Sequence, residues 1–345
     1  MAQRSAAVLS KGPRFQVSKG LVTVLVSTVV LYALCALIAP SSVAPGTIAG
    51  TLPFAAILAI AGLGQMLVIQ QAGIDLSVAG AISLAAVIVT AVPDGDNSKL
   101  GSAVVLALAV ALGFGLLNGF LIGFLKLNPI IATLGSNAAL YGLVMGISQG
   151  IPRSTTPTLM EIVSGVTFGL PNSVYFALVS LGLVVFMLRK TVAGRRFESI
   201  GSSSTAAATS GLRVRTHQGI AYVWAQLLYC LAGILIAGVI SEPNGFMGES
   251  YLLTSVAVVV LGGTSLLGGR GLPTATVVAA LFLSQLDQFV LALGVSFAVR
   301  TLIQAAALAI GVAIYTVNWP LVRSKIQKLL SMSSRGQNQA SLPPA

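Results

Sequence analysis

"FAAILAIAGLGQMLVIQQAGIDLSVAGAISLAAVIVTAV", Phe54 to Val92, sets a single carboxylate, Asp75, between two strongly apolar runs in a chain of 345 residues with only eight acids. Runs of roughly 17–25 apolar residues recur from Leu21 to the neighbourhood of Val317, the length a helix needs to cross about 30 Å of hydrocarbon. Hydrophobic residues make up 56% of the chain and charged residues 8%, with a mean hydropathy of +0.95. A soluble domain carries about a quarter charged residues. The chain therefore reads as a membrane protein.

The apolar pattern places spans near residues 30, 60, 85, 113, 139, 181, 230, 259, 284 and 308. The expected fold is an all-α integral membrane protein of about ten transmembrane helices, some broken. Breaks are expected at Pro53, Gly73, Pro129 and the cluster from Gly262 to Gly271, and such breaks are tolerated at membrane depth where they are buried in protein or line a wet cavity. Leu21 to Ala39 follows a basic stretch (Arg4, Lys11, Arg14, Lys19), as a secretory signal would. It exceeds the about 7–15 residues of a signal core and reads as a retained first span.

Under this parse all but three of the nineteen lysines and arginines fall on one side; the exceptions are Lys99, Arg153 and Arg300. That side is expected to be cytoplasmic, with both termini on it. Five acids, Asp94, Asp96, Glu161, Glu242 and Glu249, fall on the other side. The net charge of +11 is then explained by topology and anionic lipid headgroups, with no nucleic-acid partner required. The domain plan is a cytoplasmic segment 1–20, a transmembrane domain 21–318 and a cytoplasmic tail 319–345, with the longest cytoplasmic loop at 189–218. In that loop an Ala-rich centre between a Ser cluster and Gly211 has the start and stop signals of a short helix. It is either a docking surface or a solvated basic loop.

Catalytic readings fare poorly. "GISQG", Gly146 to Gly150, fits G-x-S-x-G, but the elbow needs a strand before and a helix after, and the chain's one histidine, His217, lies in the basic loop. Glycines 142, 146 and 150, like Gly115, Gly119 and Gly123, recur every fourth residue and suit close helix packing. "LGGTSLLGGRG", Leu261 to Gly271, has neither the spacing nor the lysine of a phosphate loop, and reads as a bend with Arg270 at the surface. Cys35, Cys230 and His217 make no metal cluster, so no metal and no cofactor are expected. Uncharged amides within the spans suit a pathway for a neutral, hydroxyl-rich solute, and the pathway candidates are Gln65, Asn118, Asn137, Gln285 and Gln304. Interhelical hydrogen bonding is the alternative for each.

Four ordered stretches, "AGIDLSVAG" (72–80), "LLNGFLIGFLKLNPIIATLGS" (116–136), "AGRRFESIGSSSTAAATSGLRV" (193–214) and "LGGTSLLGGRG" (261–271), resemble the permease subunits of bacterial ABC importers for monosaccharides, the ribose, xylose and autoinducer-2 type. The resemblance runs over residues 20 to 318. It implies a multi-pass inner-membrane permease with no enzymatic activity of its own, a second permease chain, cytoplasmic ATPase subunits and an extracytoplasmic sugar-binding protein. It also implies that the segment carrying Gly201, Ala206, Ala207, Ser210 and Gly211 couples the permease to the ATPase. Where the family has Asn and acids ahead of the alanines, this chain has Ser203, Ser204 and Thr205, and it has Ala72 and Ala79 in place of family glycines. A branched-chain amino-acid permease, a stand-alone secondary transporter and, more remotely, an intramembrane hydrolase are the competing functions. For Asp75, Gly73 breaks the second span and the apolar pattern resumes at Leu76, so a structural role as an N-cap is expected.

Overall fold

A computed structural model describes residues 18–296, together with 298, 299, 301–303, 305, 306 and 309. Residues 1–17, the centre of the expected tenth span, Gln304 and the tail 319–345 lie outside the described residues. The described part is helical throughout except for one small hairpin. In chain order the helices are α1 (Lys19–Ile38), α2 (Pro45–Gln70), α3 (Val78–Ala91), α4 (Leu100–Gly123), α5 (Pro129–Ser148) and α6 (Pro157–Ser164). The hairpin, β1 (Val166–Thr167) with β2 (Leu170–Pro171), follows. Then come α7 (Asn172–Lys190), α8 (Val192–Ser202), α9 (Ser204–Thr209), α10 (Val214–Val239), α11 (Glu249–Leu261) and α12 (Pro273–Ala292).

Seven of these, α1, α2, α4, α5, α7, α10 and α12, are long and apolar enough to cross a membrane among the described residues. Two further apolar helices, α3 with 14 residues and α11 with 13, fall at the expected centres near 85 and 259. At about 1.5 Å per residue each covers only some 20 Å, too little to span alone. Their N-terminal ends meet. Gly248 donates its N–H to Ser83 Oγ at 2.9 Å, and a Cβ on Gly248 would lie 1.9 Å from the Ala79 carbonyl oxygen. Two half-length helices thus begin against each other in the interior of the bundle.

The core is built around α2 and α10. From Ala55 to Gln70 every residue of α2 is buried, and α10 is buried along most of its length against α2, α3 and α4. A helix apolar on every side and enclosed on every side needs no amphipathic stripe. The outer helices show apolar side chains outward, as lipid-facing surfaces do: Val29 on α1, Ile131 on α5, Val179 and Phe186 on α7.

The expected breaks are only partly realised. Gly73 lies in a true interruption between α2 and α3, and the glycine cluster separates α11 from α12, with Gly263, Gly268 and Gly269 at positive φ. Pro129 begins α5 instead of interrupting a span, in the first-turn position where its missing N–H costs nothing. Pro53 does not break α2 at all: it removes one hydrogen bond from a 26-residue helix whose burial holds it together. Gly115, Gly119 and Gly123 do face a neighbouring backbone, with Cβ positions 2.8, 2.7 and 2.6 Å from Val223 Cα, Gly219 O and Arg215 O of α10. The second stripe differs. Cβ atoms on Gly142 and Gly146 would meet nothing within 4 Å, and Gly150, at φ +76, lies past the Gln149 cap of α5, so among the described residues this set packs against no neighbouring element.

Candidate functional site

Past Gln70 the chain turns at Ala72, where φ is +60, and then runs without regular structure back into the bundle to start α3. Gly73, Asp75 and Ser77 are buried along this stretch, and a buried N–H left unpaired costs on the order of 1–3 kcal/mol. Side chains from α5 and α2 take up N–H groups here. Thr133 Oγ1 on α5 accepts the Leu76 N–H at 2.9 Å, and Asn137 Oδ1 accepts the Gly80 N–H at 2.8 Å. Gln65 on α2, with its amide set to suit both ends, accepts the Asp75 N–H at 3.2 Å and donates to Asp75 O at 3.1 Å and to Tyr229 Oη at 2.7 Å.

Asp75 is completely buried. Its Oδ1 accepts the Ser77 N–H at 2.9 Å and the Ser77 hydroxyl, while α3 itself begins one residue later at Val78. The carboxylate therefore holds the turn that enters α3, two residues ahead of the helix's own N-cap position. Ser77 Oγ in turn accepts from Gln226 Nε2 at 2.6 Å and from Asn118 Nδ2 at 3.3 Å, and the Ser136 hydroxyl donates to Asn118 Oδ1. A single buried network thus joins α2, α4, α5 and α10 through the break.

The candidates Gln65, Asn118 and Asn137 come together here, Gln65 and Asn137 on backbone groups and Asn118 on the hydroxyls of Ser77 and Ser136. Gln285 is elsewhere, buried on α12 and donating to Cys35 Sγ at 3.4 Å and Ser42 O at 3.2 Å, which ties α12 to α1 and the turn after it. Ser77, Thr133 and Ser136 were missed because a hydroxyl in an apolar run shows nothing in sequence of the backbone group it will serve. Among the described residues no group of His, Cys, Asp or Glu could hold a metal ion. The serine of the G-x-S-x-G match, Ser148, is buried in the last turn of α5 and donates to Val144 O at 2.8 Å. It has no elbow around it.

A second set of contacts lies at the end of the bundle where α2 finishes. The loop 189–218 folds as two helices: α8 carries Gly201, and α9 starts where Ser203 Oγ caps the Ala206 N–H at 3.3 Å. Gly211, at φ +79, stops α9 in a Schellman closure, with Gly211 N–H bonded to Ala208 O and Leu212 N–H to Ala207 O, both at 3.0 Å. Ala207 is buried, whereas Ala206, Ser210 and Gly211 face outward.

The three motifs of the sequence meet at α8. A Cβ on Gly201 would lie 2.2 Å from Gln70 O, and one on Gly268 would lie 2.8 Å from Gly201 O. Gly269 N–H bonds to Gln70 O at 3.1 Å, and Gln71 Nε2 donates to Phe197 O at 2.9 Å. Glu198 adds charge to this junction, pairing with Arg189 at 3.0 Å and Arg270 at 3.4 Å, while Arg189 Nη2 reaches Gly271 O at 2.8 Å. Between α8, α9, Gly73 and Tyr222 opens a cleft of about 440 Å³, on whose wall Lys126 Nζ donates to Gln218 Oε1 at 3.0 Å.

A helical membrane protein with interrupted spans, a dry polar hinge and a small exposed helix tied to that hinge belongs to the class of multi-pass permeases. The chain belongs to the family described as branched-chain amino acid transport system / permease component, whose pattern matches residues 47–314, and it is a permease of the inner membrane. A probable ABC transporter permease of Sinorhizobium fredii is 35% identical over 261 residues, which are 74% of this chain and 77% of that protein. A ribose import permease of Bacillus subtilis is 31% identical over 287 residues (82% and 88%), and a galactofuranose transporter permease of Escherichia coli 34% over 242 (70% and 71%). No solved structure matches.

Proposed function

We propose that this chain forms the translocation pathway of an ABC importer for a monosaccharide or a related small polyol, driven by ATP hydrolysis on partner subunits. The observation that carries the mechanism is the contact of Gly201 with Gln70, which joins the loop helices directly to the hinge at Asp75. In this reading the end bearing α8 and α9 faces the cytoplasm, where the excess of lysine and arginine belongs. The outward face of α9, with Ala206 and Ser210, seats on an ATPase subunit. Closure of the ATPase pair pushes α8 against the end of α2 and the glycine bend before α12, and the buried network at the α2–α3 break moves as one piece. A second permease chain completes the pathway and a sugar-binding protein delivers the solute to the opposite end.

The sugar permeases among the relatives support a carbohydrate over the amino acid in the family's description. The chain itself does no covalent chemistry: it shifts between two arrangements, each favoured by the partner state that binds it better. The test is uptake of radiolabelled ribose, fructose and galactose by cells of the native host. Arsenate depletion of ATP is expected to abolish it and a proton or sodium ionophore to leave it standing. Uptake that follows the ion gradient and survives ATP depletion would establish a secondary transporter instead.

A further inference from the structure

We infer that the open cavity of about 300 Å³ between α2, α11 and α12 is a sugar-binding cleft on the pathway, an inference that rests on the importer reading above. It lies toward the end of the bundle away from α8 and α9, beside the first turns of α11, where that half-length helix begins against α3. Of the amides expected to line a pathway, Gln65, Asn118, Asn137 and Gln285 do not contribute to it.

The lining has the chemistry of polyol recognition. Thr51, Ser250 and Thr254 donate their hydroxyl protons to backbone carbonyls of Thr47, Met247 and Ser250, at 2.7, 3.1 and 2.5 Å. Their lone pairs are left as acceptors for a solute hydroxyl. Ser284 and Gln288, one turn apart on α12, make no side-chain hydrogen bond to any other described residue. They supply both donors and acceptors, and Asp287 adds a carboxylate beside them. A sugar hydroxyl both donates and accepts, so a wall alternating the two functions satisfies several at once. Phe54 and Tyr251 contribute the rings against which the apolar C–H face of a sugar settles, since the face of an aromatic ring is electron-rich.

The same lining discriminates against a branched-chain amino acid. No lysine, arginine or histidine among the described residues borders the cavity to meet an α-carboxylate, and the acidic side chain in its lining is Asp287. The volume stands at the low end of ligand sites, about 300–1,000 Å³, and suits one sugar ring.

The experiment uses the whole importer, purified from the native host with its ATPase and binding protein and placed in liposomes. ATP-driven uptake of radiolabelled ribose, fructose and galactose is measured for the wild type, Ser284→Ala, Gln288→Ala and the double variant. Each single change is expected to lower uptake of the transported sugar about tenfold, by loss of a hydrogen bond to the solute. Membrane abundance and subunit composition are expected to stay at the wild-type level, which separates a lost contact from a misfolded chain. Sugar uptake unchanged in the double variant would overturn the cleft and leave the importer reading intact. Uptake of leucine and of none of the sugars by the wild type would overturn that reading, and the sugar cleft with it.

Discussion

Gly201 presses its backbone against the carbonyl oxygen of Gln70, so closely that a Cβ at 201 would stand 2.2 Å away. One residue is in the helix that leads into the exposed loop, the other in the last turn of the most deeply buried helix of the bundle. Their contact joins the loop helices to the end of α2 beside the α2–α3 break. Gly201→Ala is expected to force α8 away from α2, at a cost typical of overpacking, about 1–3 kcal/mol. Uptake should fall by about tenfold while most of the chain still reaches the membrane. Measuring uptake alongside membrane abundance checks this, and full uptake would mean the contact transmits nothing.

Asp75 offers a comparison of two substitutions. Asp75→Asn keeps an Oδ1 for the Ser77 N–H and replaces Oδ2, which has no hydrogen bond to lose. Asp75→Ala leaves that buried N–H without an acceptor, worth about 1–3 kcal/mol. Thermal unfolding in mild detergent should show the Asn variant close to wild type and the Ala variant clearly destabilised, with lower yield. Equal loss of transport in both at normal yield would assign Asp75 to solute or proton handling.

The two glycine stripes should respond differently. Gly119→Ala drives a methyl group into Gly219 O, 2.7 Å away, and is expected to loosen α4 from α10 and to lower the unfolding temperature. Gly146→Ala meets nothing within 4 Å and should be neutral or slightly stabilising in the isolated chain, as Gly-to-Ala changes in helix interiors are by roughly 0.5–1 kcal/mol. Unfolding of both variants side by side decides the matter.

Much of this was legible in the residues. Apolar runs located the described spans, because burial and lipid contact demand the same side chains at every position of a crossing helix. The stop at Gly211 and the start at the Ser cluster of α9 were legible too, since caps are local chemistry. The amides were not. Gln65, Asn118 and Asn137 look in sequence like the polar lining of a path, but which N–H groups go unpaired at Leu76, Ser77 and Gly80 depends on how α4, α5 and α10 pack around the break. Pro53 misled for the same reason, its effect being set by the burial around it. The stripe at Gly142 and Gly146 has the spacing of an interface and no neighbour among the described residues to use it.

Glu198 joins Arg189 and Arg270 at the junction of α7, α8 and the glycine bend. Its side chain and that of Arg189 are each 27% exposed, so the pair is expected to contribute only about 0.5–1 kcal/mol. A double-mutant cycle with Glu198→Ala and Arg189→Ala, followed by thermal unfolding in detergent, should return a coupling of that size. It should shrink at high salt. A coupling of zero at low salt would remove the ion pair from the account of how α8 is held.

The most direct test of the central claim, that α9 seats the ATPase, is to place arginines at its outward face. The tagged permease carrying Ala206→Arg and Ser210→Arg is purified gently from the native host, and the subunits that accompany it are identified by mass spectrometry. The account predicts a folded permease at normal yield from which the ATPase subunit is lost and ATP-driven uptake with it. An ATPase retained in full, with uptake undiminished, would contradict it.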